Sequence, residues 1–187
     1  MELDEVTIST IDPAILRHEE AIYLCSEFLS HCVSPKESTF HMITYLDSFL
    51  FCFISIEEMV SDEDKILLKK SPIFNFLKAA RNVTAHHVIL AAPKQKDNFK
   101  YPFFRSVRVS LNLRTGHKSG QTILRLNIKQ FRETFSTASV NFHRRATLEL
   151  AEEYLINKEM TGMKEILVEE VMKEGLELIA SILKLRK

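Results

Sequence analysis

The side chains best suited to chemistry lie together between Ser71 and Pro93, in the stretch SPIFNFLKAARNVTAHHVILAAP. They are Arg81, Asn82 and His86, with His87 alongside. Histidine is the side chain whose ordinary pKa lies near neutrality, so it can take or give a proton at working pH. Arginine offers a planar, permanently charged fork that matches the oxygens of a phosphate. The carboxamide of Asn82 can orient a hydroxyl, a phosphate oxygen or an imidazole. The stretch carries a helix's punctuation: Ser71 as cap, Pro72 in the first turn, and Pro93 as a limit. Ile73, Phe76, Leu77, Ala80, Val83 and Thr84 recur at helical spacing and predict a buried stripe. On that helix Asn82 and His86 stand one above the other, whereas Arg81 and His86 diverge by about 140°. Two copies of the helix, facing across a two-fold axis, would bring an Arg and a His to one target. The spacing therefore points to a site at a dimer interface; the bland alternative is an Arg and a His that satisfy one another in a structural contact.

The segment Arg81-Asn82-Val83-Thr84-Ala85-His86 resembles the signature of the HEPN family, helical nucleotide-binding and ribonuclease domains. That signature is an Arg, a polar residue and then a His four to six positions after the Arg. His87 also satisfies the spacing; His86 is preferred because it shares a face with Asn82. The resemblance covers about residues 13–92 and the C-terminal helices. It implies a mainly α, HEPN-like helical bundle that acts as a homodimer. For family members of the ribonuclease kind it implies RNA cleavage without a metal or cofactor. There the ribose 2′-OH attacks its own phosphodiester, leaving a 2′,3′-cyclic phosphate and a 5′-hydroxyl. The implied roles are His86 as general acid/base, Arg81 as phosphate clamp, Asn82 as orienting group and His87 as backup. A toxin or phage-defence role is implied, with a cognate antitoxin protein as a further partner. Members paired with a nucleotidyltransferase antitoxin often carry Tyr two positions after the His. Here that position is Val88, or Ile89 if His87 is the motif residue, so control by that modification is not expected.

The elements that must position these residues follow from composition and period. With 187 residues, 45% of them apolar and only four Gly, the chain suits one helix-rich domain spanning 1–187. The N-terminus MELDEVTISTID is acidic and lacks a signal-peptide pattern, and the apolar run 48–56 is too short to span a bilayer. A cytoplasmic protein without membrane contact is expected. Cys25, Cys32 and Cys52 fall in apolar helical patterns and read as buried free thiols, not as metal ligands.

The zero net charge conceals segregation. Residues 1–64 hold 2 Lys/Arg against 14 Asp/Glu, a net −12, and residues 65–145 hold 17 against 2, a net +15. A basic block is the footprint expected for a phosphate-backbone partner such as RNA. Its alternative is neutralisation by the acidic helices within the fold or across a dimer.

In chain order, a first helix is expected from Asp12-Pro13 to about Val33. Its stripe is His18, Ala21, Ile22, Cys25, Phe28, Leu29 and Cys32. A second helix, about 37–60, is apolar nearly all round at 49–54, so it is central or meets a second subunit. On it Asp47 is the candidate to orient His86 or His87, while Glu57 and Glu58 read as a solvated helix end. A short helix, 65–70, precedes the motif helix. The stretch 94–128 predicts an inserted β-hairpin: Val107, Val109, Leu111 and Leu113 alternate with polar residues, as do Thr122, Leu124, Leu126 and Ile128 further on. The expected RNA contacts are Lys78, Lys100, Tyr101, Arg105 and Arg108. Two further helices, about 129–158 and 164–185, complete the bundle. Two functions remain: the metal-independent endoribonuclease, or a non-catalytic helical module that binds protein or nucleotide and dimerises through the same helix.

Overall fold

A computed structural model of the chain describes residues 12–33, 39–91, 104–112, 118–138 and 145–184. Excepted are the side chains at 33, 39–40, 84–91, 104–112, 118–122, 134–138 and 145. The fold is mainly α, with a small antiparallel sheet between helices. Helices α1 (Pro13–Val33), α2 (Thr39–Ser55), α3 (Asp62–Lys70) and α4 (Pro72–Ala91) come first. Strands β1 (Phe104–Asn112) and β2 (Lys118–Asn127) form a hairpin. Then follow α5 (Ile128–Ala138), α6 (Arg145–Met160), β3 (Glu165–Leu167) and α7 (Val168–Ile182). Among the described residues no helix is long and apolar enough to cross a membrane.

Helix α1 runs antiparallel to α2: the Cys52 thiol donates to the Arg17 carbonyl at one end, and His31 stacks on Tyr45 at the other. Helix α4 packs against α2, α6 and α7. The centre of the core lies where α2, α4, β2 and α7 meet. Leu50, Phe76, Leu77, Leu126, Val171 and Met172 there surround a purely apolar void of about 20 Å³. Phe53 of α2 packs on Phe74 of α4 with ring centroids 5.6 Å apart, and Phe76 packs on Tyr154 of α6 at 4.7 Å. Each fully buried Phe contributes on the order of 2 kcal/mol by removal from water. At Gly175 α7 packs tightly on α4: a Cβ there would stand 2.6 Å from Leu77 Cδ1.

Punctuation sets the α3–α4 corner. Ser61 caps α3 by accepting from the Asp64 N–H, and Ser71 Oγ accepts from the Phe74 N–H at the start of α4. Asn75, buried, donates to the carbonyls of Lys69 and Ser71 at 2.9 and 2.8 Å. It thereby satisfies the Lys69 carbonyl, which the end of α3 leaves without a helical partner, while the Ser71 carbonyl also accepts the Asn75 N–H at 3.1 Å.

Four expectations need correction. The second helix does not run on to residue 60: it gives way to a 3-10 turn, Ile56–Glu58, which turns Glu57 inward. That residue is 4% exposed and is not part of a solvated end. The single helix expected over 129–158 is two, α5 and α6, and Ala146 near the start of α6 is exposed. Residues 165–167, expected in the last helix, are a strand that pairs with β2 (Arg125↔Leu167, Leu126↔Ile166) and makes the hairpin a three-stranded sheet. Ile22, assigned to the α1 stripe, is 37% exposed.

The register also separates two alternations read as equivalent. Residues directly opposite one another share a sheet face. Leu124, Leu126 and Ile166 are buried and mark the inner face. Val107 pairs with Ile123, Val109 with Gln121 and Leu111 with Ser119, so the β1 apolar positions are out of step with the buried Leu124 and Leu126 of β2.

Candidate functional site

Helix α4 is continuous from Pro72 to Ala91, so Arg81, Asn82, His86 and His87 lie on one unbroken element, with His86 one turn beyond Asn82. Ala79, Ala80 and Val83 are buried and pin the middle of the helix to the core. Arg81 and Asn82, between them, are half-buried. Arg81 Nη1 donates to Asn82 Oδ1 at 3.2 Å, and the guanidinium carbon lies 5.9 Å from the centre of the Phe51 ring. A carboxamide that accepts from the guanidinium fixes its direction, so Asn82 acts on Arg81. The side chains of His86 and His87 lie outside the described residues.

Phe51 is the element that sequence reasoning missed. It belongs to the all-apolar stretch of α2, yet it is 59% exposed. Asp47 precedes it by one turn on the same helix face. Together they line an open groove of about 540 Å³ between α1 and α2, whose far wall includes Arg17, Glu20 and Leu24. The structure thus brings Arg81 to Phe51, and Asp47 to the groove beside Phe51. A partial signal was present: within the apolar stretch 49–54, Phe51 is an aromatic at a position that the core stripe Leu46, Phe49, Leu50, Phe53 leaves outside.

The other side chains expected to touch RNA fare differently. Lys78 does not stand out to solvent as a phosphate contact: its ammonium pairs with the buried Glu57 carboxylate, which Lys69 also faces at 3.8 Å. Lys100 and Tyr101 lie outside the described residues. Arg105 and Arg108 lie on β1, their side chains outside the description; in the backbone register Arg105 pairs with Arg125 and Arg108 with Thr122.

Among the described residues several cations of the basic block are paired. Lys65 faces Glu58, Arg125 faces Glu165 at 3.3 Å, and Arg132 reaches both Glu152 and Glu159, at 2.6 and 2.9 Å. The two carboxylates raise the Arg132 pKa further still. Such exposed pairs are each worth under about 1 kcal/mol, but they draw down the field that a basic block would otherwise project.

No family model, curated protein or solved structure matches this chain.

The remaining titratable groups serve the fold. Cys25, Cys32 and Cys52 are free and buried. Burial pushes all three thiols up, Cys32 to about 11 and Cys52 to about 12, so they are poor nucleophiles near neutrality. Tyr154 donates to Glu174 at 2.9 Å, and its pKa is raised by burial and then by that carboxylate. His18, expected in the α1 stripe, is buried with Nε2 3.2 Å from the Leu176 carbonyl. Among the described residues no three His, Cys, Asp or Glu side chains cluster as metal ligands do.

Proposed function

We propose that the chain is a HEPN-like, metal-independent endoribonuclease of toxin or phage-defence type, acting as a homodimer whose α4 helices face one another. The observation that carries this reading is the half-buried Arg81, aimed by Asn82 and laid against an exposed aromatic, five residues before the motif histidine on the same helix. In the proposed reaction the ribose 2′-OH attacks the adjacent phosphorus. His86, or His87 in its place, moves the proton, and Arg81 stabilises the charge that builds on the phosphoryl oxygens. Because Arg81 and His86 diverge on one helix, each active site takes its Arg and its His from opposite subunits. Partners under this reading are RNA, the second copy of the chain and a cognate antitoxin protein.

The test is cleavage of a labelled mixed RNA in EDTA by the wild type, His86→Ala and Arg81→Ala. Loss of general acid/base help costs roughly 10²–10⁴ in rate. The expected result is cleavage leaving 2′,3′-cyclic phosphate ends, reduced at least a hundredfold in both variants while both remain folded dimers. Equal cleavage by all three proteins would defeat the proposal.

The exposure of Phe51 favours a second reading, a non-catalytic module that dimerises or binds protein or nucleotide through the same surface. Under it Phe51→Ser yields monomers or loses the partner, and no RNA is cut by the wild type.

A further inference from the structure

We infer that copies of this chain join head to tail, the exposed apolar edge of α3 on one copy seating in the α1–α2 groove of the next. The inference goes beyond both readings above and does not rest on the ribonuclease reading.

The large apolar side chains exposed among the described residues fall into three groups. One is on α1 and α2, with Leu16, Tyr23 and Phe51 its main members. The second is Ile66 and Leu67 of α3, neighbours in sequence and 52% and 54% exposed. The third is Ile156 and Met160 at the end of α6, with Met163 in the turn that follows. Exposed apolar residues scattered singly are ordinary, whereas grouped ones mark surfaces that other molecules cover. The first group borders a concavity: Phe51 and Leu24 give the groove its apolar lining, and its volume of about 540 Å³ takes two aliphatic side chains.

Charge selects the occupant. Glu20 and Asp47 line the groove, and Glu20 is taken up by Arg17 at 2.6 Å. Glu19 and Glu27 stand on the outward side of α1, and neither carboxylate is in an ion pair among the described residues. An acidic rim around an apolar seat favours an apolar knob flanked by cations. The α6 group does not qualify, because Glu153 stands one turn before Ile156 on the same face. The α3 group does. Lys69 and Lys70 are exposed beside Ile66 and Leu67. Lys70 is in no ion pair among the described residues, and Lys69 faces Glu57 only at 3.8 Å.

Length and direction agree as well. The nine residues of α3 span about 13 Å, and Arg17 to Glu27 along α1 span about 15 Å. Helix α3 is acidic at its start, with Asp62 and Glu63, and basic at its end. The seat has Arg17 and Arg81 near one end, beside Cys52 and Phe51, and Glu27 toward the other. Laid with its start toward the arginines, α3 matches both ends. The segregation of charge, −12 over residues 1–64 and +15 over 65–145, then finds part of its neutralisation between copies. A patch that meets a different surface on the next copy makes a heterologous contact, which runs on into a ring or a filament and does not stop at two.

The experiment follows the mass of the full-length protein by sedimentation over a concentration series. It compares the wild type, a seat variant (Phe51→Ser with Glu27→Lys), a knob variant (Ile66→Asp with Leu67→Asp) and the two variants mixed one to one. None of the four positions is buried, so both variants should keep the wild-type urea transition. The wild type is expected to climb past the mass of a dimer as concentration rises. Each variant alone is expected to associate at least about tenfold more weakly, the effect of losing an anchoring side chain at the centre of a contact. The mixture is expected to recover association, because each variant keeps the surface that the other has lost. Neither a two-fold contact nor a merely misfolded variant produces that recovery. A wild type that stays at one mass throughout, a variant that associates as the wild type does, or a mixture no heavier than its components would overturn the inference. An α4 dimer that cuts RNA and never exceeds the mass of two chains keeps the ribonuclease reading and removes this contact.

Discussion

Two cations stand one turn apart on α4 and serve opposite ends. Lys78 reaches back to Glu57, a carboxylate 6% exposed at the 3-10 turn, and so ties α4 to the end of α2. Arg81 lies half-buried against the exposed ring of Phe51, beside the groove, with Asn82 accepting from it. Both came from the same basic block, and the sequence reading gave both a role on RNA, Arg81 as phosphate clamp and Lys78 as one of the expected contacts. The difference lies in what each finds within reach. A buried carboxylate needs a charge partner, because an ion taken out of water without one costs several kcal/mol. Lys78 is therefore held by the fold, while Arg81 ends on a surface that a ligand can approach.

The largest effect expected on folding is at Lys78. Removing one partner of a buried pair typically costs about 3–5 kcal/mol. The lower end applies here, because Lys69 still faces Glu57 at 3.8 Å and Lys78 is itself one-third exposed. Lys78→Met is expected to lower unfolding stability in urea by about 3 kcal/mol. A loss under about 0.5 kcal/mol, the usual scale of surface changes, would mean that Glu57 finds water and that the contrast with Arg81 is false.

Next comes the seat of α4 itself. A methyl at Gly175 would stand 2.6 Å from Leu77 Cδ1 and 3.1 Å from Phe53 Cε2. Overpacking of this kind costs roughly 1–3 kcal/mol. The clash falls on the end of a flexible leucine, so Gly175→Ala belongs at about 1–2 kcal/mol. If the same substitution stabilises the protein, as a Gly→Ala change on an open helix face can, then α7 and α4 do not meet closely and the helix is less firmly placed than its burial indicates.

How much of this was legible follows from the range of each signal. The start of α4 was written locally, in Ser71-Pro72, and so was the reach of α1 from Pro13 to Val33. Helical period predicted Phe76, Leu77, Ala80 and Val83 as core, and all four are buried. The Glu57–Lys78 pair was not legible, because it joins residues 21 positions apart through a turn that breaks the period of α2. Strand β3 was hidden because its three residues carry too little alternation to stand against the helical pattern that follows them. The pairing of Arg81 with Phe51 was missed for a related reason: an all-apolar helix gives no hint of which ring stays outside. Asp47 was singled out for orienting a histidine; the side chains of His86 and His87 lie outside the described residues, and Asp47 lines the groove with Phe51 and Ser48 of α2 and the opposite wall of α1.

A smaller effect on folding, with a large one on chemistry, is expected at Arg81. Arg81→Ala removes a partly exposed cation–π contact and a hydrogen bond within one helix, together worth under about 1 kcal/mol. Under the proposed reaction it also removes the phosphate clamp. Urea unfolding and RNA cleavage measured on the same preparation separate the two. A stability loss as large as that of Lys78→Met would place Arg81 among the residues that hold the fold, and would leave the ribonuclease reading without its phosphate clamp.

The smallest effect concerns Cys52, which lines the groove but belongs with Lys78 on the side of the fold. Its thiol is 1% exposed and donates to the Arg17 carbonyl. Its pKa rises to about 12, through burial first and the nearby Glu20 carboxylate second, with Arg17 acting in the opposite direction. In the unfolded chain the thiol titrates near its ordinary value, 9.0. Between these values the unfolded state loses its proton and the folded state keeps it, so stability decreases as pH rises. The contribution is fully present below about pH 9 and is lost as pH rises through about 12. Urea unfolding repeated from pH 8 to pH 11 should therefore show a downward slope that is shallower in Cys52→Ala than in the wild type. The thiol should also resist iodoacetamide at pH 8 in the folded protein and react once urea unfolds it. Rapid alkylation of the folded protein at Cys52 would show that the groove floor opens, and the wall that carries Arg17 would then be a moving one.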